Sequence, residues 1–155
     1  MKFSIYSMFF LFFGYFVLAC STPKNVIYQR SGKVICQQYE EGVIHLMAEA
    51  NAESLAKAVG FAERNAIENL LFKGIPSSNQ EKPMINNETE AVQKHSNYFH
   101  ELIDQGRYHR FVMKSEVAES FKEDNSFFIK HKISVDLKAL RTDLEQHNIV
   151  RKFGL

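Results

Sequence analysis

Residues Ser126 to Leu137 read S-F-F-I-K-H-K-I-S-V-D-L, and this alternation constrains the fold more than any other feature of the chain. One parity holds Phe127, Ile129, His131, Ile133, Val135 and Leu137, and the other holds Phe128, Lys130, Lys132, Ser134 and Asp136. Side chains alternate across a strand, so the pattern predicts one face on a core and one toward water, as in an antiparallel sheet. Upstream, Tyr108 to Lys122 carries Phe111, Met113, Val117 and Phe121 at one parity, and Glu123-Asp124-Asn125 supplies a turn. The two runs are expected to pair as a hairpin.

A half-buried sheet needs a covering layer. Counted at 100° per residue, Ala48, Ala52, Leu55, Val59, Ala62, Ala66 and Leu70 fall on one stripe. Glu49, Glu53, Lys57, Gly60, Arg64 and Glu68 fall on the other side. This predicts a long helix with a close-packing alanine seam, Asn51 as its N-cap and Glu53–Lys57 as an outer ion pair. Phe61 and Leu71 leave the stripe, which suits a second layer or a partner surface. Lys33 to Met47 is β-prone, with a strand near 43–49 and a bend at Gly42.

Glu88 to Gln105 reads as a second helix, with Ala91, Val92, Tyr98, Phe99, Leu102 and Ile103 as its apolar set. Asp136 is placed to cap a short helix that turns Leu137, Leu140 and Leu144 inward, with Arg141 and Glu145 outside and Asn148 at its end. The tail from Ile149 is apolar enough to dock. The expected fold is α+β: a small antiparallel sheet with the alanine-rich helix and shorter helices on one face, in a single domain over 33–155.

The first residues, M-K-F-S-I-Y-S-M-F-F-L-F-F-G-Y-F-V-L-A-C-S-T, obey different rules. Lys2 is followed by an apolar run to Leu18 and then by Val17-Leu18-Ala19-Cys20, the shape of a secretory signal ending in a bacterial lipobox. On this reading residues 1–19 are removed between Ala19 and Cys20, and the Cys20 thiol receives lipid. Residues 20–32 then form a lipidated tether. Two or more acyl chains are needed for stable anchoring. An uncleaved membrane helix is the alternative, although the run is short for the ~20 residues a bilayer needs. Cleavage removes Lys2 and no acid, leaving 18 basic against 18 acidic residues, and takes with it eight of the 20 Phe and Tyr residues. A neutral domain argues against nucleic acid as a partner. Ser21 is not the aspartate associated with inner-membrane retention, so the expected address is the outer membrane, facing the periplasm.

Candidate interaction residues lie in Lys73–Asn87, where Gly74, Ile75, Pro76 and Pro83 mark a long loop that is either functional or an ordered surface connection. Cys36 is either a reactive thiol or a small buried residue on a strand. His131 on the apolar parity is either a ligand or a hydrogen-bonded core histidine. His95 and His100 stand about 140° apart on a helix and cannot share a face. The chain has neither a zinc motif nor a nucleophile elbow nor a P-loop, so no cofactor, metal or catalytic residue is expected.

The stretch A-E-A-N-A-E-S-L-A-K-A-V-G-F-A-E-R-N-A-I-E-N-L-L-F-K-G-I-P and the ending I-S-V-D-L-K-A-L-R-T-D-L-E-Q-H-N-I-V-R-K-F-G-L resemble small lipoproteins of Bacteroidetes-type bacteria. The domain they outline, about 40–155, is similar to the FlgT N-terminal-like group of outer-membrane lipoproteins. Where related sequences often turn through Gly-aromatic-Gly before the long helix, this chain has Glu49, Ala50 and Asn51. The resemblance implies an envelope assembly or accessory role and carries no catalytic residue. A non-enzymatic lipoprotein that contacts a protein partner or itself is the leading expectation. A ligand-binding module for peptidoglycan fragments or another small envelope molecule is the alternative, with the 73–87 loop and Lys130/Lys132 as its candidates.

Overall fold

The computed structural model describes residues 27–31 and 33–152. Lipobox residues Ala19 and Cys20, and the last three residues of the tail, lie outside them. The chain forms β1 (Val34–Glu40), β2 (Val43–Ala52), α1 (Leu55–Phe72), α2 (Glu88–Lys94), α3 (Ser96–Phe99), β3 (Val112–Glu123), β4 (Ser126–Asp136) and α4 (Leu137–Gln146). A π-helical turn (His100–Asp104) and a 3-10 turn (Arg107–Phe111) join α3 to β3. The sheet is antiparallel throughout, in the order β1-β2-β4-β3. The fold is α+β, as the alternation predicts.

β4 behaves as its pattern requires. Ile129, His131, Ile133 and Val135 are buried against α1, which supplies Ala58, Ala62, Ala66, Ile67 and Leu70 to the same core. Alanine at this seam lets the helix lie close to the strands.

The helix starts later than the sequence suggests. Ala48 and Ala52 belong to β2, and Ser54, not Asn51, caps α1 by accepting from the Lys57 N–H. Alternating alanines suit a buried strand as well as a helix stripe, and pairing with β4 decides between them. Residues Asn51 and Ala52 lie opposite Phe128 and Phe127 in that ladder.

β3 departs from its expected parity. Bulges fall between Val112 and Lys114 and between Val117 and Glu119. Each inserts one residue and reverses which face the next side chain takes. Val117 therefore lies opposite buried His131, whereas Phe121 lies opposite Phe128 on the open face and is 55% exposed. Met113 is 65% exposed. The bulges and the Lys and Glu residues along this edge also discourage unwanted strand pairing.

The segment expected as one helix over Glu88–Gln105 is broken at His95, where the backbone leaves helical geometry. Its second half buries Tyr98, Phe99, Leu102 and Ile103. α4 follows expectation: the Asp136 carboxylate accepts from the Ala139 N–H at 2.8 Å, and Leu137, Leu140 and Leu144 are buried. Asn148 takes the left-handed conformation, φ 56°, that ends the helix. Ile149 and Val150 pack against the core.

Candidate functional site

The tether expected over 20–32 is not all tether. Residues 27–31 lie along the outer side of α1, and their side chains meet charges that helical periodicity had assigned to solvent. Glu68 is 4% exposed. Its Oε2 accepts from Tyr28 Oη at 2.8 Å and from Arg30 Nε at 2.7 Å, and its Oε1 accepts from Arg64 Nε at 2.8 Å. Arg30 extends the network by forking onto both oxygens of Glu88, at 2.8 and 2.7 Å, at the start of α2. Arg64 reaches Asp104 at 3.2 Å. Burial, and then the Glu68 charge, push the Tyr28 phenol far above its ordinary range. The hydrogen bond to Glu88 leads the causes that raise Arg30, against the cost of burial. Alongside, Asn65 accepts from the Ser31 N–H at 3.0 Å, and Asn69 donates to the Ser31 carbonyl at 3.0 Å. The first described residues are thus a structural strap. Phe61, which left the helical stripe, meets Tyr28 edge-on at 5.2 Å.

The 73–87 loop takes the form of an ordered surface connection. Gly74 (φ 81°) is buried, and its N–H closes α1 by donating to the Asn69 carbonyl at 2.7 Å. Ile75 is fully buried, and its N–H donates to the Gln80 carbonyl. Met84 and Ile85 return to the Leu70 and Leu71 carbonyls. Of the four candidates, Gly74 and Ile75 are therefore interior, Pro83 is half-buried and Pro76 is exposed at the tip.

A second polar cluster sits between α1 and the sheet. His131 is buried and its Nε2 lies 2.6 Å from Ser115 Oγ, which donates to Glu63 Oε1. His109 Nδ1 is 3.2 Å from the other Glu63 oxygen. With the serine proton committed to the carboxylate, Ser115 Oγ accepts from His131, so Nε2 carries the proton. Burial works against the Glu63 charge, but the nearby His131 ring, the Ser115 hydrogen bond and the His109 ring outweigh it and hold the carboxyl below its ordinary range. The order is acid, serine, imidazole. A hydrolase triad needs the imidazole between acid and serine. Here His131 Nδ1 has no hydrogen-bond partner among the described residues, so no acid orients the ring. The arrangement instead ties edge strand β3 directly to α1 through Ser115 and Glu63, with His131 of β4 holding the serine from the other side.

Cys36 faces the α1 side opposite Leu46, half-buried, with its thiol near the Gln38 carbonyl at 3.6 Å. His45 lies on the other face, with Nδ1 2.8 Å from Ser134 Oγ. The strands thus separate the thiol from that imidazole. Lys130 on the open face pairs with Glu119 at 2.8 Å. Among the described residues no three His, Cys, Asp or Glu side chains gather as a metal site, and no helix is long and apolar enough to cross a membrane.

Two surface concavities stand out. A cleft of about 540 Å³ lies between Met84–Asn87, α2 and residues 148–151, with Asn86, Lys94, His95, Asn148 and Arg151 on its walls. A groove of about 370 Å³ lies where the strap crosses the end of β2, lined by Ile27, Tyr28, Ala50, Phe61 and Phe128 with Lys33 and Glu49 beside them. Comparison with protein-family models, with curated proteins and with solved structures returns no match.

Proposed function

We propose that this chain is a lipid-anchored lipoprotein of the bacterial outer membrane, facing the periplasm and serving as a non-enzymatic accessory or assembly factor of the cell envelope. The observation that carries this reading is Leu18-Ala19-Cys20 at the end of an apolar run, followed within seven residues by a strap fastened to a folded domain. Acylation at Cys20 would hold the domain at the membrane without a spanning helix. The buried polar side chains support a binding rather than a chemical role, since Glu68 is spent on two arginines and Glu63 on Ser115 and two histidines. The resemblance to small envelope lipoproteins points the same way. A protein partner, or a second copy, would meet the open sheet face or the exposed loop tip at Pro76. Replacing Cys20 by Ala should move the protein from the membrane to the soluble fraction of a bacterial host and abolish its crosslinks to membrane neighbours. A Cys20→Ala protein that stays membrane-bound would sink the anchor.

The 540 Å³ cleft favours a second reading, a module for a small envelope ligand such as a peptidoglycan fragment. Lys94 and Arg151 enter no ion pair among the described residues, and Asn86 and Asn148 add amide groups suited to a carboxylated, amide-rich molecule. Titrating muropeptides into the protein should perturb the NMR resonances of these residues, and a Lys94→Ala, Arg151→Ala variant should lose that response. Unchanged resonances at saturating muropeptide would reject this reading.

A further inference from the structure

We propose that the groove formed by Ile27, Phe61 and Phe128, with Phe121 at its rim, is the edge of the domain that lies against the lipid bilayer. This rests on the reading of Cys20 as the lipidated residue and adds an orientation to it.

Three observations carry the proposal. The first is a continuous apolar patch at one end of the sheet. Ile27 is 81% exposed, and Phe121 packs beside half-buried Phe128 with ring centroids 6.5 Å apart. Asn51, Phe128 and Phe121 are successive partners across β2, β4 and β3, so groove and rim are continuous. Exposed Leu55 begins α1 three residues beyond β2. Other exposed apolar residues, such as Ile35 and Met113, lie away from this groove.

The second observation is reach. Seven residues lead from Cys20 to Ile27, which lines the groove. Fully extended they span at most about 25 Å. A domain of this size has a radius of gyration of about 14 Å and is roughly 35 Å across. A tether shorter than the domain is wide excludes orientations that put Ile27 on the side far from the membrane. The β1–β2 turn lies at the other end of a ten-residue strand from the groove.

The third observation is charge. Lys33 pairs with Glu49 at 3.1 Å, and Lys130 with Glu119. Lys122 lies over the Phe127 ring at 5.5 Å, and Glu123 and Asp124 form the neighbouring turn. Lys33 and Lys130 are paired with acids and Lys122 is covered by a ring, so attraction to the bilayer comes from the apolar side chains. Docking should therefore proceed on zwitterionic lipid and resist added salt.

The chain contains no tryptophan, so one introduced indole reports alone. The test uses the full lipidated protein in phosphatidylcholine vesicles whose acyl chains carry bromine. Phe121→Trp and, separately, Ile27→Trp should show emission shifted to the blue and quenched by the brominated lipid. Tyr39→Trp, beside the distant turn, should show neither. Flotation of the unmodified protein with the vesicles reads the anchor independently. Protein that floats while both rim indoles stay unquenched overturns the docking edge and leaves the anchor standing. Protein that fails to float overturns both. A blue shift that grows with protein concentration without bromine quenching assigns the groove to a second copy and overturns the proposal.

Discussion

At the residue scale, two glutamates on α1 govern the response to mutation and acid. Glu68 answers Arg30, Arg64 and Tyr28 from a site nearly closed to water. Its removal leaves two guanidinium groups without their shared partner. Breaking a buried ion pair from one side costs about 3–5 kcal/mol, and the partial exposure of both arginines brings the expectation for Glu68→Ala to roughly 2–3 kcal/mol. Urea unfolding measures it, and a loss below about 1 kcal/mol would show that the network is ornamental. Glu63 sets a pH dependence. Its folded carboxyl sits below the usual value of 4.5, so the unfolded chain takes up the proton first as acid is added. The stabilisation is complete above about pH 5 and drains away as pH falls through the unfolded and then the folded value. Glu88, gripped by Arg30, shifts in the same direction. Stability should therefore fall as the pH drops below about 5, less steeply in Glu63→Gln. Equal slopes in urea titrations of the two proteins would acquit Glu63. Neither glutamate could be found from periodicity alone. Glu68 falls with the outer charges of α1, and only the returning strap makes that side interior.

At the element scale, the loop after α1 is held by backbone rather than by side-chain packing alone. Gly74 has φ 81°, and a Cβ there would come within 1.9 Å of the Glu81 carbonyl oxygen. Gly74→Ala should cost roughly 2–4 kcal/mol, the range for forced backbone strain with a main-chain clash. Calorimetry would read it as a lower Tm, and an unchanged Tm would mean that the loop can open without penalty. β3 teaches a complementary lesson. Met113, Val117 and Phe121 share one parity, yet two bulges distribute them over both faces. A bulge comes from how neighbouring strands fit together, and its cost and benefit lie in the partner strand. β4 has no such interruption in its pairing with β2, which is why its pattern was legible.

At the scale of the whole molecule, the strap makes residues 27–31 part of the folded domain. A chain shortened to begin at Lys33 loses Tyr28, Arg30 and Ser31 from the outer face of α1. It should be less stable than the chain beginning at Cys20 by about 3 kcal/mol, or roughly 10 °C in Tm. Equal melting temperatures would reduce residues 27–31 to an inert linker. With Cys20 lipidated as proposed above, such coupling would pass a pull on the anchor directly to α1 and to the network at Glu68. By itself, the sequence determined the α+β class, the β3–β4 hairpin and the capped α4. Each is written in neighbouring residues, as strand alternation, a turn or an N-cap. Only the tertiary structure decided that Ala48 and Ala52 belong to a strand, that Glu68 is interior, and that Ser115, His131 and Glu63 meet. Those outcomes depend on which distant segments lie side by side, and burial and hydrogen bonding are properties of that assembly rather than of any stretch of chain.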